Sequence, residues 1–501
     1  MDEKDFFAGL EQRIREGLAL WRCPSIGLGV IKDGEILYAG GVGLRDREAD
    51  LPADGKTLYQ IGSSSKSFTA LLCAMLVDQG KLAWDVPIRT WAPEVRFYDA
   101  FTTENVTLRD LLSHRTGLPR HEYAWYRTPF TREELVRNLR WLEPNRPFRT
   151  QMRYNNFGYI LLGYLIERVT GLSWEACLQQ YIFEPLGMAR STPFLDDIEG
   201  DPNHAAPYGL IGKSLSGGER GRFYRCSAED KEKGIGAPFG PAGSINSCVE
   251  DLLRYLRFQL GDGTWEGERL LSQAALEEMH KPNMFLSAPL DMPMEETQLS
   301  SYAMGWIVEM FRGHRVVQHG GNIDGFSAQL FMVPDQKLGI VALTNMDGCF
   351  LHLSAARTIV DHFLGAEDGD WFRRYHDFTV ESGEGLDELL RQFTGERREG
   401  TRPSHPLEEY AGRYARRGYG PCSVELRDGV LLLKLLDSEI RLEHFHYDTF
   451  LTRDILGELP PGFPVHFHTA EVGGAIDALL IPLVPEAAER PIRFERNSEK
   501  E

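Results

Sequence analysis

Apolar and polar positions alternate between residues 25 and 44, as SIGLGVI, then Lys32-Asp33-Gly34, then EILYAGGVGL. Period-two alternation around an Asp-Gly pair predicts a β-hairpin. A second strand-rich stretch covers 315 to 345, where RVVQHGG, FSAQLFMV and KLGIVALTN are parted by short turns. Between them the period lengthens to that of an α-helix over Ser67–Gly80, Thr107–His114, Thr131–Trp141, Phe157–Gly171 and Val249–Leu260. The opening MDEKDFFAGLEQRIREGLALW reads as one more amphipathic helix, and Asn155 and Asn156 stand where the fourth of these helices needs a cap. Strands at both ends with helices between them predict an α+β unit whose ends meet in a single antiparallel sheet.

Two stretches depart from this pattern. Residues 196 to 240 are rich in Gly, Pro, Lys and Asp with little periodicity, which reads as a functional loop or lid. After Leu364, Asp370–Phe393 reads as one or two helices and GERREGTRPSHP as a linker. From Leu407 nearly everything alternates, with Asp428-Gly429 and Gly473-Gly474 where hairpin turns belong. A small up-and-down barrel follows, because closure removes exposed sheet edges. The expected division is a catalytic unit over 1–364, a helical bridge and linker over 365–406, and an all-β barrel over 407–501.

Composition narrows the partners. The 501 residues hold 55 Lys and Arg against 74 Asp and Glu, a net charge of −19, which argues against nucleic acid because phosphate requires a basic footprint. With 42% hydrophobic residues there is material for a large core and a second, smaller one. No run of about 18 apolar residues predicts a membrane span. The charged start lacks the features of a signal peptide. The seven cysteines are scattered without a CxxC, as expected of reduced thiols, and cytoplasmic residence is the expectation.

Chemistry concentrates in three short motifs. In Ile61-Gly-Ser-Ser-Ser-Lys-Ser67, Ser63 and Lys66 are one helical turn apart, at the start of the most apolar helix. A helix N-terminus favours a developing alkoxide and disfavours an ammonium, so Lys66 can serve as a base for Ser63. Alone, Ser-x-x-Lys fits an N-capping serine and a solvated lysine as well. Tyr154-Asn155-Asn156 offers a proton shuttle and a substrate-binding amide, or an aromatic anchor beside a cap. His319-Gly320-Gly321 closes a strand; it is either a plain turn or an edge against which substrate lies opposite the nucleophile.

Taken in this order, Ser-x-x-Lys, Tyr-x-Asn and His-Gly-Gly resemble the motifs of the serine β-lactamase and penicillin-binding protein superfamily. The Tyr-x-Asn form is similar to class C β-lactamases, D-aminopeptidases and β-lactamase-like esterases. VTLRDLLSHRTGLP, YIFEPLGM, PAGSINSCVEDLLRYL and HGGNIDGFSAQLFMVPDQKLGIVALTN extend the resemblance over about residues 20 to 364. It implies a five-stranded antiparallel sheet flanked by helices, a helical lobe, and an active site between them. By the same match Ser63 is the nucleophile, Lys66 and Tyr154 share acid and base work, and Asn156 holds the substrate amide. His319, Gly320, Gly321 and Asn322 form the substrate strand, with the N–H groups of Ser63 and Asn322 as the oxyanion hole. No metal or organic cofactor is implied. The tail, from EEYAGRYARRG, resembles the lipocalin-like domains appended to some of these enzymes.

The implied function is a serine hydrolase acting through an acyl-enzyme on small amides or esters, as a peptidase of D-residue peptides or a carboxylesterase. An acyltransferase or thioesterase shares every motif. A β-lactamase is disfavoured because its third motif carries lysine where His319 stands, and intact Ser63, Lys66 and Tyr154 disfavour a non-catalytic binding protein. The expected partner is a small molecule or short peptide, with no membrane partner and with self-association left open. HEYAWYR (121 to 127) is expected to line an acyl or side-chain pocket. The histidine pairs 444/446 and 466/468, each on one strand face, read as ordinary barrel residues before they read as metal ligands.

Overall fold

The computed structural model describes residues 3–210, 218–220, 237–287, 292–381, 397–436, 438–453, 462–484 and 490–497. Strands β1 (Ser25–Lys32) and β2 (Glu35–Asp46) form the expected hairpin. Its two turn residues, Asp33 and Gly34, have φ of 51° and 84°, as a tight turn matched to strand twist demands. Strands β3 (Thr297–Tyr302), β4 (Ile307–Phe311), β5 (His314–Ile323), β6 (Phe326–Val333) and β7 (Leu338–Thr344) follow as an antiparallel meander. β7 then pairs with β1, Ile26 opposite Thr344 and Lys32 opposite Leu338, so the two ends of the unit do meet. The sheet is wider than the five strands implied by the resemblance. β3, β4 and two short edge strands, Met284–Phe285 and Leu51–Pro52, bring it to nine among the described residues.

Helices cover both faces. The ones that position the site are α1 (Glu3–Trp21), α2 (Ser65–Asp78), α3 (Phe157–Thr170), α4 (Val249–Gln259) and α5 (Leu351–Phe363). β6 and β7 are buried along their whole length because α4 packs on one face of the sheet and α1 with α5 on the other. The glycines of SIGLGVI make α4's close approach possible: a Cβ on Gly29 would lie 2.6 Å from a Val249 methyl. The helical lobe packs around α2, whose residues 65 to 76 are all buried. α3 ends at Gly171 in the left-handed region, the usual device for stopping a helix.

The eight-stranded barrel closes by pairing its first strand, β8 (Gly412–Ala415), with its last, Ile492–Arg496. β9 (Cys422–Arg427) turns back at Asp428 and Gly429, both with positive φ. A bulge between His444 and His446 breaks the expected common face of that pair. His444 contacts the Tyr447 carbonyl, His466 the Thr449 hydroxyl and His468 the Asp477 carboxylate. The lid reading of 196–240 falls largely on residues 211–217 and 221–236, outside the described residues, as do 382–396 of the bridge; a helix covers 371–381. The six described cysteines are buried free thiols. No helix of the described residues is long and apolar enough to cross a membrane.

One buried ion cluster ties the helical lobe together. Arg132 bonds Glu167 of α3 and, at 2.7 Å, Glu175, and donates to the carbonyls of Pro238 and Ala237. Both the Arg132 and Glu175 side chains are nearly inaccessible, at 4% and 1% exposure. Removing one member leaves the other charge in a dry interior. Arg132→Ala is therefore expected to lower unfolding free energy by about 3–5 kcal/mol, measured by urea unfolding. A loss below about 1 kcal/mol, the level of a surface pair, would contradict this assignment.

Candidate active site

The SSSKS run enters the site through a single 3₁₀ turn, Gly62–Ser64, that leads into α2. Its first three serines have different surroundings. Ser64 donates to the His319 carbonyl at 3.1 Å, and Ser65 Oγ accepts the Ile245 N–H at 3.1 Å. Ser63 alone of the three lines the cleft. Lys66 follows one helical turn later and is fully buried. Its Nζ lies 2.9 Å from Ser63 Oγ, 2.8 Å from Asn156 Oδ1 and 2.8 Å from the Ala242 carbonyl.

Burial and the nearby Arg120 cation hold the Lys66 amine well below its ordinary pKa, with Glu122 opposing them. A neutral amine has two N–H bonds and one lone pair. Asn156 Oδ1 and the Ala242 carbonyl can only accept, so they take both N–H bonds. The lone pair is left facing the Ser63 hydroxyl, which is the arrangement of a base with its proton donor in place.

The two asparagines of Tyr154-Asn155-Asn156 separate into two jobs. Asn155 Oδ1 accepts the Gly158 N–H at 2.9 Å and caps α3, and its amide donates to the carbonyls of Leu118 and Arg153. Asn156 makes no cap bond, which leaves its carbonyl for Lys66 and turns its Nδ2 to Glu122 at 3.4 Å. Tyr154 hydrogen-bonds Ser63, and burial pushes its phenol up to about 12, so the hydroxyl is protonated at neutral pH. The buried His114 packs 4.3 Å from the Tyr154 ring, and its Nδ1 accepts the Asn155 N–H at 3.3 Å.

The third motif lies on β5. β4 pairs with β5 only as far as Gln318, whereas β6 pairs with it through Ile323. Residues 319 to 323 therefore have one edge outside the ladder, and the Gly62–Ser64 turn sits against it. A Cβ on Gly321 would lie 1.9 Å from the Ile61 carbonyl and 2.8 Å from the Ser63 nitrogen. One on Gly62 (φ +48°) would lie 3.0 Å from the Asn322 nitrogen. These two glycines bring the main chains of Ser63 and Asn322 to the same point of the cleft, and both residues line it.

His319 is buried behind that edge. Its Nδ1 donates to the Gly320 carbonyl at 2.6 Å, so its Nε2 is unprotonated and accepts the Tyr302 hydroxyl at 2.8 Å. Burial outweighs the bond to the Gly320 carbonyl and pushes it down to about 3, and it is neutral. His319, Gly320 and Gly321 support the wall from behind, and Asn322 is its surface.

The opposite wall is residues 120–127, here called the strap. Glu122, Tyr123, Trp125, Tyr126 and Arg127 face the cleft, as does Arg120, which precedes the stretch picked out in the sequence. His121 instead turns away. Arg120 donates to Glu122 at 2.5 Å and stacks 5.4 Å over the Tyr154 ring. Tyr126 reaches across to Asp324 at 2.5 Å, with Arg127 3.3 Å from the same carboxylate. The contributions of Arg120, Tyr302, Asp324 and the Ala242 carbonyl were not foreseen. Ala242 acts through its main chain, which has no sequence signature; Arg120 and Tyr302 lie away from the motifs along the chain, and Asp324, two residues past Asn322, is marked only by its partners in the strap.

A serine and a buried lysine at the head of a central helix, a tyrosine and an asparagine from the helical lobe, and a glycine-rich strand opposite define the serine β-lactamase and penicillin-binding-protein class. The chain belongs to the Beta-lactamase family, which it matches over residues 10–361, and residues 396–496 match a domain of unknown function, DUF3471. It is 29% identical over 438 residues to the unguisins hydrolase ungD of Aspergillus violaceofuscus, covering 83% of this chain and 76% of that protein. The octameric penicillin-binding protein homologue from Pyrococcus abyssi superposes with a TM-score of 0.62 at 26% identity, over 99% of this chain and 100% of that one. A D-alanine carboxypeptidase from Burkholderia cenocepacia shares the fold, with a TM-score of 0.57 at 21% identity over 72% of this chain and 98% of that one.

The division of labour between the asparagines is measurable. Asn155→Ala is expected to cost roughly 1 kcal/mol or more of unfolding free energy through loss of the α3 cap. Unchanged stability in urea unfolding would show that α3 does not depend on it.

Proposed function

We propose that the chain is a hydrolase that opens amide or ester bonds of small, peptide-like substrates through an acyl-enzyme on Ser63. The observation that carries this reading is the coordination of Lys66, whose two protein acceptors leave its lone pair for the Ser63 hydroxyl. Lys66 takes the hydroxyl proton as Ser63 Oγ attacks the carbonyl carbon. The resulting oxyanion is held by the N–H groups of Ser63 and Asn322, each such donor being worth about 3 kcal/mol of barrier. Tyr154, a neutral phenol beside Ser63, gives its proton to the leaving nitrogen or oxygen and takes back the one held by Lys66, so both groups are neutral again in the acyl-enzyme. Water then attacks the ester with the same groups in reverse, releasing the acid and restoring the Ser63 hydroxyl.

Asn156 Nδ2 is the arm available to a substrate carbonyl. The part of the β5 edge that faces the cleft, at Asn322 and Ile323, suits an extended backbone laid beside it. His319 contributes by holding that edge through Tyr302. Because it is neutral, the third motif supplies no cation for a substrate carboxylate, which favours a peptidase or esterase over a β-lactamase. The relatives named for unguisin hydrolysis and D-alanine carboxypeptidase activity support peptide-like substrates, D-residue peptides among them. The octameric Pyrococcus abyssi homologue supports self-association.

Mixing the protein with a fluorophosphonate is expected to add one adduct mass on Ser63, absent in Ser63→Ala. An equal adduct on that variant removes the nucleophile assignment. Lys66→Met is expected to slow adduct formation by roughly 10²–10⁴-fold, the range of a general base.

Activity needs neutral Lys66, so the rate falls as pH drops through its lowered pKa. Arg120→Gln removes a cation that depresses that pKa and is expected to move the acid limb to higher pH. Glu122→Gln is expected to move it to lower pH. Limbs that shift the other way, or not at all, would exclude Lys66 as the titrating base.

A further inference from the structure

The barrel touches the catalytic unit close to the cleft. The loop between β8 and β9 carries Tyr419, which is buried and packs edge-on against Phe494 inside the barrel. Its hydroxyl lies 2.7 Å from His121 Nδ1 in the strap. The other ring nitrogen of His121 lies 2.9 Å from the Glu143 carbonyl, which can only accept. His121 Nε2 therefore carries the proton, Nδ1 is the acceptor, and Tyr419 is the donor. The fit is close on both sides. Gly418 has φ +87°, and a Cβ there would lie 3.1 Å from Trp141 Cβ. Arg417 stacks 4.8 Å over the Trp141 ring.

His121 is the point at which the strap changes direction. Its backbone is left-handed, with φ 45° and ψ 46°, a region that residues with side chains visit uncommonly. Its two neighbours point the other way, into the site: Glu122 to Asn156 and Arg120 over the Tyr154 ring. The far end of the strap is pinned by Tyr126 and Arg127 on Asp324. The near end rests on the two bonds of the His121 ring, and one of those comes from the barrel.

We infer that Tyr419 and His121 are positioning residues of the active site: the hydrogen bond between them sets the turn that holds Arg120 and Glu122 against Tyr154 and Asn156. The barrel thereby completes the catalytic wall from outside the catalytic unit. The inference rests on the acyl-enzyme reading for its kinetic consequences, but the geometry it asserts is independent of that reading. It also agrees with the electrostatics, since Arg120 and Glu122 are the two charges that act on Lys66.

The test is Tyr419→Phe in the full-length chain, which removes one hydroxyl and keeps the packing. Hydrogen exchange is expected to quicken at the Ala124 and Tyr126 amides, which bond the His121 carbonyl and the Glu122 carbonyl, and to stay unchanged in β7. Fluorophosphonate adduct formation is expected to slow by roughly ten- to a hundredfold, the cost of a small misplacement. In a Glu122→Gln background the same substitution is expected to add little, because the two act on one path. Arg417→Ala, which loosens the barrel on Trp141 without touching His121, is expected to leave strap exchange and adduct rate near wild type. Unchanged exchange in Tyr419→Phe, additive losses in the double variant, or an equal effect of Arg417→Ala would each overturn the inference. Should the wild-type protein form no adduct, the acyl-enzyme reading fails, and exchange alone decides whether the barrel holds the strap.

Discussion

Lys66 carries an amine into the junction between sheet and helical lobe, where water cannot solvate a charge. The rest of the site follows from that constraint. A buried ammonium is costly, which favours the neutral amine where both of its N–H bonds find acceptors. One acceptor is the side chain of Asn156 and the other is the main chain of Ala242. Asn156 is available because Asn155 takes over the cap of α3. Ala242 is in place because its turn packs against α2 and α3, with Thr69 donating to the Pro241 carbonyl at 2.7 Å. Folding and catalysis thus share the same few contacts.

Much of this was legible in the order of residues. The Asp33-Gly34 hairpin, the closure of the sheet by β1 and β7, and the barrel turn at Asp428-Gly429 all arise from local periodicity and turn chemistry, which a linear pattern displays. The i to i+3 spacing of Ser63 and Lys66 likewise requires nothing but a helix. The width of the sheet was less legible, because the strands added to it are short or weakly patterned. Within the site, Asn155 and Asn156 are equivalent as sequence, and only their neighbours separate a cap from a ligand of Lys66. His319 looked like a group facing the substrate. The Tyr302 hydroxyl and the Gly320 carbonyl, neither announced by any motif, occupy both of its nitrogens. Contacts made between distant elements, or by the main chain, leave no local pattern to read.

The same distinction separates the two walls of the cleft. The wall formed by α2 and β5 is built from the motifs and is held by the continuous core of the catalytic unit. The strap has no regular element longer than one turn; Tyr123, Ala124 and Trp125 join the core, and its ends are fixed by Asp324 on one side and Tyr419 with Glu143 on the other.

Gly320 and Gly321 are adjacent and identical as letters, yet they differ in what they tolerate. A methyl group on Gly320 would lie 2.9 Å from the end of the Gln329 side chain, a buried amide that would have to strain its 2.6 Å bond to Gln318 to give way. On Gly321 it would lie 1.9 Å from the main-chain oxygen of Ile61, which cannot. Position 321 is thus closed to every side chain whatever substrate the protein acts on, whereas at position 320 the obstacle is the end of a side chain. A glycine at 321 therefore reports the packing of the nucleophile turn and carries no information about specificity.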